Sequence, residues 1–190
     1  MKNTLPITVS FLFVLIALPA SAQIGPDGTG VVNGYQIGPN VNLRNAYLRN
    51  ANLSGANLSG ANLTFANLSG ASLRGANLKG ADLGSSNISE TDFTNAELSG
   101  VTSGGIYNLP ATLPNDWFVA HYLEDGINYH SGYLVGPGAN LDGGSLANCD
   151  LSNTDLSGVK LVTTTLTNAK LGGAKYCKTL MPGGVRNDDC

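Results

Sequence analysis

Val41 to Gly100 reads VNLRN AYLRN ANLSG ANLSG ANLTF ANLSG ASLRG ANLKG ADLGS SNISE TDFTN AELSG, twelve five-residue units in one unbroken register. The central residue is Leu in ten of them, with Ile88 and Phe93 in the other two, and the residue two positions earlier is Ala in nine. A second run, Ala139 to Lys178, reads ANLDG GSLAN CDLSN TDLSG VKLVT TTLTN AKLGG AKYCK, eight units with Leu at seven centres and Tyr176 at the last. A helix advancing 100° per residue would move each Leu by about 140° per unit and spread the apolar residues around its circumference. In one continuous strand an odd period would throw successive Leu to opposite faces. What fits is a short extended piece whose Ala and Leu, two apart, both point inward. A bend follows at the last two positions, where Gly and Asn accept positive φ.

A bend every five residues closes a polygon, and one such coil has no core of its own. Coils must stack, about 4.8 Å apart, so that backbone groups pair and the inward Leu are buried. The tandem A-(N/D)-L-x-x units resemble the pentapeptide repeat family. That resemblance implies an all-β, right-handed, four-sided β-helix with four units per coil, hence three coils in the first run and two in the second. It also implies contacts between centres twenty residues apart: Leu53 with Leu73 and Phe93, Leu58 with Leu78 and Leu98, and Leu156 with Tyr176.

The rest of the chain divides around these runs. Residues 1–22 carry Lys2, an apolar stretch dense from Phe11 to Ile16, Pro19 and then Ala20-Ser21-Ala22. This is the pattern of a cleaved secretory signal with the mature chain starting at Gln23, and it is too short for a membrane span. No stable membrane insertion is expected after cleavage. Residues 23–40 form an N-terminal cap segment and 101–138 a connector. Gly34-Tyr35-Gln36-Ile37-Gly38-Pro39 recurs 98 residues later as Gly132-Tyr133-Leu134-Val135-Gly136-Pro137. Because 98 is not a multiple of five, each run has its own entry segment, read as an apolar lid over an open coil end. Ser103-Gly104-Gly105-Ile106 through Leu113-Pro114 and Trp117 to Gly132-Tyr133 is similar to a connector of secreted family members, but longer after Trp117. The extra residues hold both histidines.

Three cysteines in an exported chain point to one disulfide and one remaining thiol. Cys149 occupies an inward small position. Cys177 lies one past its unit's centre, facing outward, and the 179–190 tail turns back to Cys190. A Cys177–Cys190 bridge would therefore close the C-terminal cap. This ending, too, is similar to that of secreted members.

Composition narrows function by exclusion. With 12% charged residues, net charge −3 and pI about 5.1, the chain has no basic surface for phosphates. Nucleic acid is not an expected partner. The family that the repeats resemble includes cytoplasmic gyrase-binding members that imitate DNA by shape and acidic surface. Here Arg44, Arg49, Arg74 and Lys79 balance Asp82, Glu90, Asp92 and Glu97 in the first run, and four Lys outnumber three Asp in the second, which makes a DNA-mimic gyrase binder the less expected reading. The connector residues His121, Glu124, Asp125 and His130 are the weak candidates for a metal or enzymatic site; imidazole and carboxylate suit zinc, but their spacing matches no established motif. No G-x-S-x-G and no phosphate-cradling loop is present. No catalytic residue and no cofactor is expected. The reading is a non-catalytic exported scaffold or binding module for a protein or polysaccharide, with the 121–130 connector as the enzymatic alternative. Phe65, at a turn position normally given to Gly or Asn, is the exposed apolar candidate on the first run.

Overall fold

The computed structural model describes residues 23–121 and 131–190, so residues 1–22, where a signal is expected, lie outside the described residues. Within each unit the centre's carbonyl accepts from the N–H three residues on, as in Ala46 N to Leu43 O at 3.0 Å. The third residue of that turn has positive φ: Asn45 at 59°, Gly55 at 69°. This is the position a type II turn gives to Gly or Asn. Between coils the bonds run in pairs: Leu43 N donates to Asn62 O at 2.7 Å, and Asn62 N to Val41 O at 2.9 Å. The parallel partners step by twenty, Asn42 to Asn62 to Asp82 on one wall and Tyr47 to Asn67 to Asn87 on the next. Four units thus make one coil. The chain forms a right-handed quadrilateral β-helix.

Leu53, Leu58, Leu73, Leu78, Leu98 and Phe93 are buried in one core, and Leu156 and Tyr176 in a second. Three inward positions that hold Thr in place of Ala are satisfied by hydrogen bonding. Thr91, Thr164 and Thr179 each donate their hydroxyl to the carbonyl of the centre residue 23 positions earlier, Leu68, Leu141 and Leu156, at 2.7–2.8 Å. Ser86 Oγ is buried with no hydrogen-bond partner among the described residues.

The first ladder does not stop at Gly100, where the five-residue pattern fades. It continues through Thr102, Tyr107 and Thr112, which pair with Asp82, Asn87 and Asp92. Val101 and Ile106 keep the inward small position although the central Leu is gone. Thr102 then pairs with Asn140, and Asn140 with Lys160. On this wall the second run continues the stack begun by the first, so the entry segment at Gly132 does not open a separate stack.

On the other walls the connector intervenes as a small antiparallel sheet. Strand β4 (Ile106–Tyr107) and β5 (Phe118–His121) flank β6 (Ser131–Val135), in the order β4-β6-β5. Alternation along these strands decides which core each side chain joins. Leu134 and Val119 pack with the first core, and Phe118, Ala120, Tyr133 and Val135 with the second. The connector sheet is therefore a septum with two apolar faces, where the sequence implies a lid with one. Trp117 touches both cores. It packs so close to Gly136 that a β-carbon there would sit 2.4 Å from the indole ring.

The two Gly-Tyr segments do equivalent work at their coil starts. Tyr47 N donates to Tyr35 Oη at 3.1 Å, and Ser145 N to Tyr133 Oη at 3.0 Å. Each phenol stands in for the carbonyl that a preceding coil would have offered. At the N-terminus β1 (Gln23–Ile24), β2 (Gly30–Val32) and β3 (Tyr35–Ile37) form a three-stranded antiparallel sheet with Val32 and Ile37 in the core. At the C-terminus Thr179 and Leu180 begin another coil, then β7 (Thr179–Met181) turns into β8 (Gly184–Arg186). Cys177 and Cys190 form a disulfide with Cα atoms 4.9 Å apart. Burial pushes the Cys149 thiol pKa up. Arg186 lies 3.7 Å from the centroid of the Tyr176 ring and closes over it.

Candidate functional site

Among the inward positions the centres and small residues fill the coil axis, so chemistry is confined to the walls and the connector. Of the connector candidates, Glu124, Asp125 and His130 lie outside the described residues, and His121 is described only as the last backbone position of β5. Among the described residues no group of three or more His, Cys, Asp or Glu is placed to hold a metal.

The walls are built from the residues on either side of each centre. The Asn before the centre turns its carbonyl oxygen onto the backbone N–H two residues later: Ser54 N to Asn52 Oδ1 at 3.1 Å, Thr64 N to Asn62 Oδ1 at 3.0 Å, Ser69 N to Asn67 Oδ1 at 3.1 Å. This geometry is the side-chain-supported turn that Asn and Asp favour. It consumes the acceptor and leaves the amide N–H2 groups of Asn52, Asn62, Asn67 and Asn87 without partners among the described residues. Stacking sets such asparagines one rise of about 4.8 Å apart in the pairs Asn42–Asn62, Asn57–Asn77 and Asn67–Asn87.

Charge is layered coil by coil. Residues 41–60 and 61–80 carry only Arg and Lys, 81–100 only Asp and Glu, 139–158 only Asp, and 159–178 only Lys. Neighbouring coils of opposite sign are tied by Arg74–Asp92 at 2.9 Å, Lys79–Glu97 at 2.7 Å and Lys170–Asp150 at 3.6 Å. Such exposed pairs contribute little singly but favour the twenty-residue register. Asp92 is the most strongly held carboxylate: the hydroxyls of Thr112 and Thr94, each 2.5 Å from Oδ1, the Thr94 N–H and Arg74 keep its pKa far below the ordinary carboxylate range. Hydrogen bonds from Ser152 and Ser157 likewise lower Asp150 and Asp155.

Phe65 is 51% exposed at a φ of 60°. It lies beneath Arg44, whose guanidinium carbon is 4.4 Å from the ring centroid. Tyr47 and Tyr107, exposed to 59% and 50%, were not singled out by sequence. They sit sixty residues apart, so the twenty-residue coil puts them on one wall with Asn67 and Asn87 between them. Beside them runs a shallow groove of about 290 Å³ lined by Arg49, Asn50, Ser69, Gly70, Asn87, Ser89, Glu90 and Asn108. A second hollow, about 240 Å³, lies where Tyr133 meets Gly104 and Gly144 at the septum.

The family model for pentapeptide repeats matches residues 40–75, 66–102 and 138–174. The chain belongs to the pentapeptide repeat family. Three solved structures illustrate the likeness. A pentapeptide repeat protein of the Arabidopsis thaliana thylakoid lumen is 18% identical over 74% of this chain, with a TM-score of 0.33, and the match spans 61% of that protein. QnrB1, a plasmid-mediated fluoroquinolone resistance protein, is 18% identical over 77% of this chain and 73% of its own, with a TM-score of 0.40. HetL, a pentapeptide repeat protein involved in heterocyst differentiation regulation in Nostoc, is 20% identical over 77% and 91%, with a TM-score of 0.20. No curated protein matches the chain. The family model does not reach the N-terminal sheet, the septum or the C-terminal hairpin of this pentapeptide repeat protein.

Proposed function

We propose that this pentapeptide repeat protein is exported and works without catalysis, holding polar rows in fixed register for a protein or polysaccharide partner. The observation that carries this reading is the state of the wall amides of the first run: the oxygens of Asn52, Asn62, Asn67 and Asn87 are committed to turns and their N–H2 groups meet no partner among the described residues. A row of donors on a backbone locked to its neighbours needs no reorganisation to bind acceptors. The signal-like residues 1–22 and the Cys177–Cys190 disulfide support a location outside the cytoplasm. The balanced charge of the first run supports a partner other than nucleic acid.

The test is recovery of partners from the native envelope fraction with the mature chain as bait, beside Phe65→Ser and, separately, His121→Ala and His130→Ala. The reading expects a saturable partner that survives both histidine changes. Stoichiometric metal, or a hydrolytic activity abolished by those changes, would replace it with the enzymatic reading of the connector.

A further inference from the structure

Most charged side chains on the first run have an answer nearby. Arg74 pairs with Asp92, Lys79 with Glu97, and Arg44 donates to Thr64 Oγ1 at 2.8 Å while covering Phe65. Arg49 and Glu90 make no ion pair among the described residues, and both line the same groove. The reason is register. Arg49 follows a centre in the first coil and Glu90 closes a turn in the third. Ser69 and Gly70 of the second coil lie between them, so two rises of about 4.8 Å hold their backbones roughly 10 Å apart along the axis. They form no ion pair with each other, yet they offset one another at any ligand that spans them.

The rest of the groove is neutral and hydrogen-bonding. Asn50, Asn87, Asn108, Ser69 and Ser89 supply amides and hydroxyls. Tyr47 and Tyr107 stand on the same wall, three coil rises or about 14 Å apart. An exposed tyrosine offers a broad apolar face with a polar tip. The apolar faces and hydroxylated rims of pyranose rings complement such a surface. Main-chain groups on this wall are taken by the coils above and below, as in Asn67 N to Ala46 O and Leu68 N to Asn87 O. A peptide adding itself as a strand finds no edge here. A polyanion finds a single cation offset by a carboxylate.

We infer that the groove from Arg49 to Glu90, together with Tyr47 and Tyr107 on the adjoining β-helix wall, binds a neutral polysaccharide laid parallel to the stack axis. The inference rests on the binding-wall reading above and names where on the molecule it operates and what it takes.

The test is calorimetric titration of the full mature chain with cellohexaose, xylohexaose, chitohexaose and laminarihexaose, with a galacturonate hexamer as anionic comparison. At least one neutral hexaose is expected to bind saturably. Tyr47→Ala, Tyr107→Ala and Glu90→Gln should each weaken it by about tenfold, and Lys175→Ala, on another wall, should leave it unchanged. All four positions are solvent-facing, and circular dichroism of each variant checks the fold. Failure of every neutral hexaose to bind, tighter binding of the galacturonate, or insensitivity to the three groove changes would overturn the inference. An envelope protein recovered equally by wild type and Tyr47→Ala would leave the wall reading standing without the groove. Cleavage of the sugar by the chain would remove both.

Discussion

At the scale of single residues, the inward small position tests the account most sharply, because two hydroxyls there meet opposite fates. Thr91 donates to Leu68 O at 2.8 Å, whereas Ser86 Oγ is buried with no partner among the described residues. An unsatisfied buried hydroxyl costs on the order of 1 kcal/mol or more, and a satisfied one contributes about 1 kcal/mol. Ser86→Ala, which restores the repeat's usual residue, should therefore stabilise the chain by about 1 kcal/mol. Thr91→Ala should destabilise it by a similar or larger amount. Denaturant midpoints of the two variants measure both; equal signs would contradict the inward assignment. Asp92 gives a second prediction. Its folded pKa is depressed, so its contribution is complete above the unfolded value near 3.9 and is lost as pH falls through the folded value. Thermal midpoints taken from pH 6 to pH 2 should fall more steeply below about pH 4 in wild type than in Asp92→Asn. Parallel curves would show that the carboxylate is not held in this way.

Elements separate what could be read from the chain from what could not. The coils were legible because one Leu and one Ala recur every five residues, and no helix or flat strand can bury both. The continuation beyond Gly100 was not, because Val101-Thr102-Ser103 and Ile106-Tyr107-Asn108 replace the inward Ala with Val or Ile and lose the central Leu. The septum was hidden for a related reason. Phe118-Val119-Ala120 and Tyr133-Leu134-Val135 are apolar on both faces, so no alternation of polarity marks them as strands. The repeated Gly-Tyr segment was visible as a repeat, but its function lies in the phenol oxygens. Tyr35→Phe and Tyr133→Phe should each cost about 1 kcal/mol, since each leaves one backbone N–H at a coil start without its acceptor. Chemical denaturation of the two variants checks this. A loss in one and none in the other would mean that the segments are alike in sequence and different in work.

For the whole molecule, the site was only partly legible. Polar walls follow from the period alone, but Tyr47 and Tyr107 become neighbours on a wall only once the coil length is fixed at twenty. Arg49 and Glu90 become an unmatched pair only when Ser69 and Gly70 are seen between them. Function in this account depends on rows kept in register from end to end, and that depends on Thr102 pairing with Asn140 across the connector. If the runs were two separate stacks, donors and charges in the second would hold no fixed place relative to the first. The decisive measurement is the spin–spin distance between nitroxides at Asn42→Cys and Lys160→Cys in a Cys149→Ala background with the disulfide intact. Five parallel steps along one wall, Asn42 to Asn62, Asp82, Thr102, Asn140 and Lys160, predict a narrow distribution around a backbone separation of roughly 24 Å. A broad distribution, or one centred well beyond that separation, would contradict the single unbroken stack.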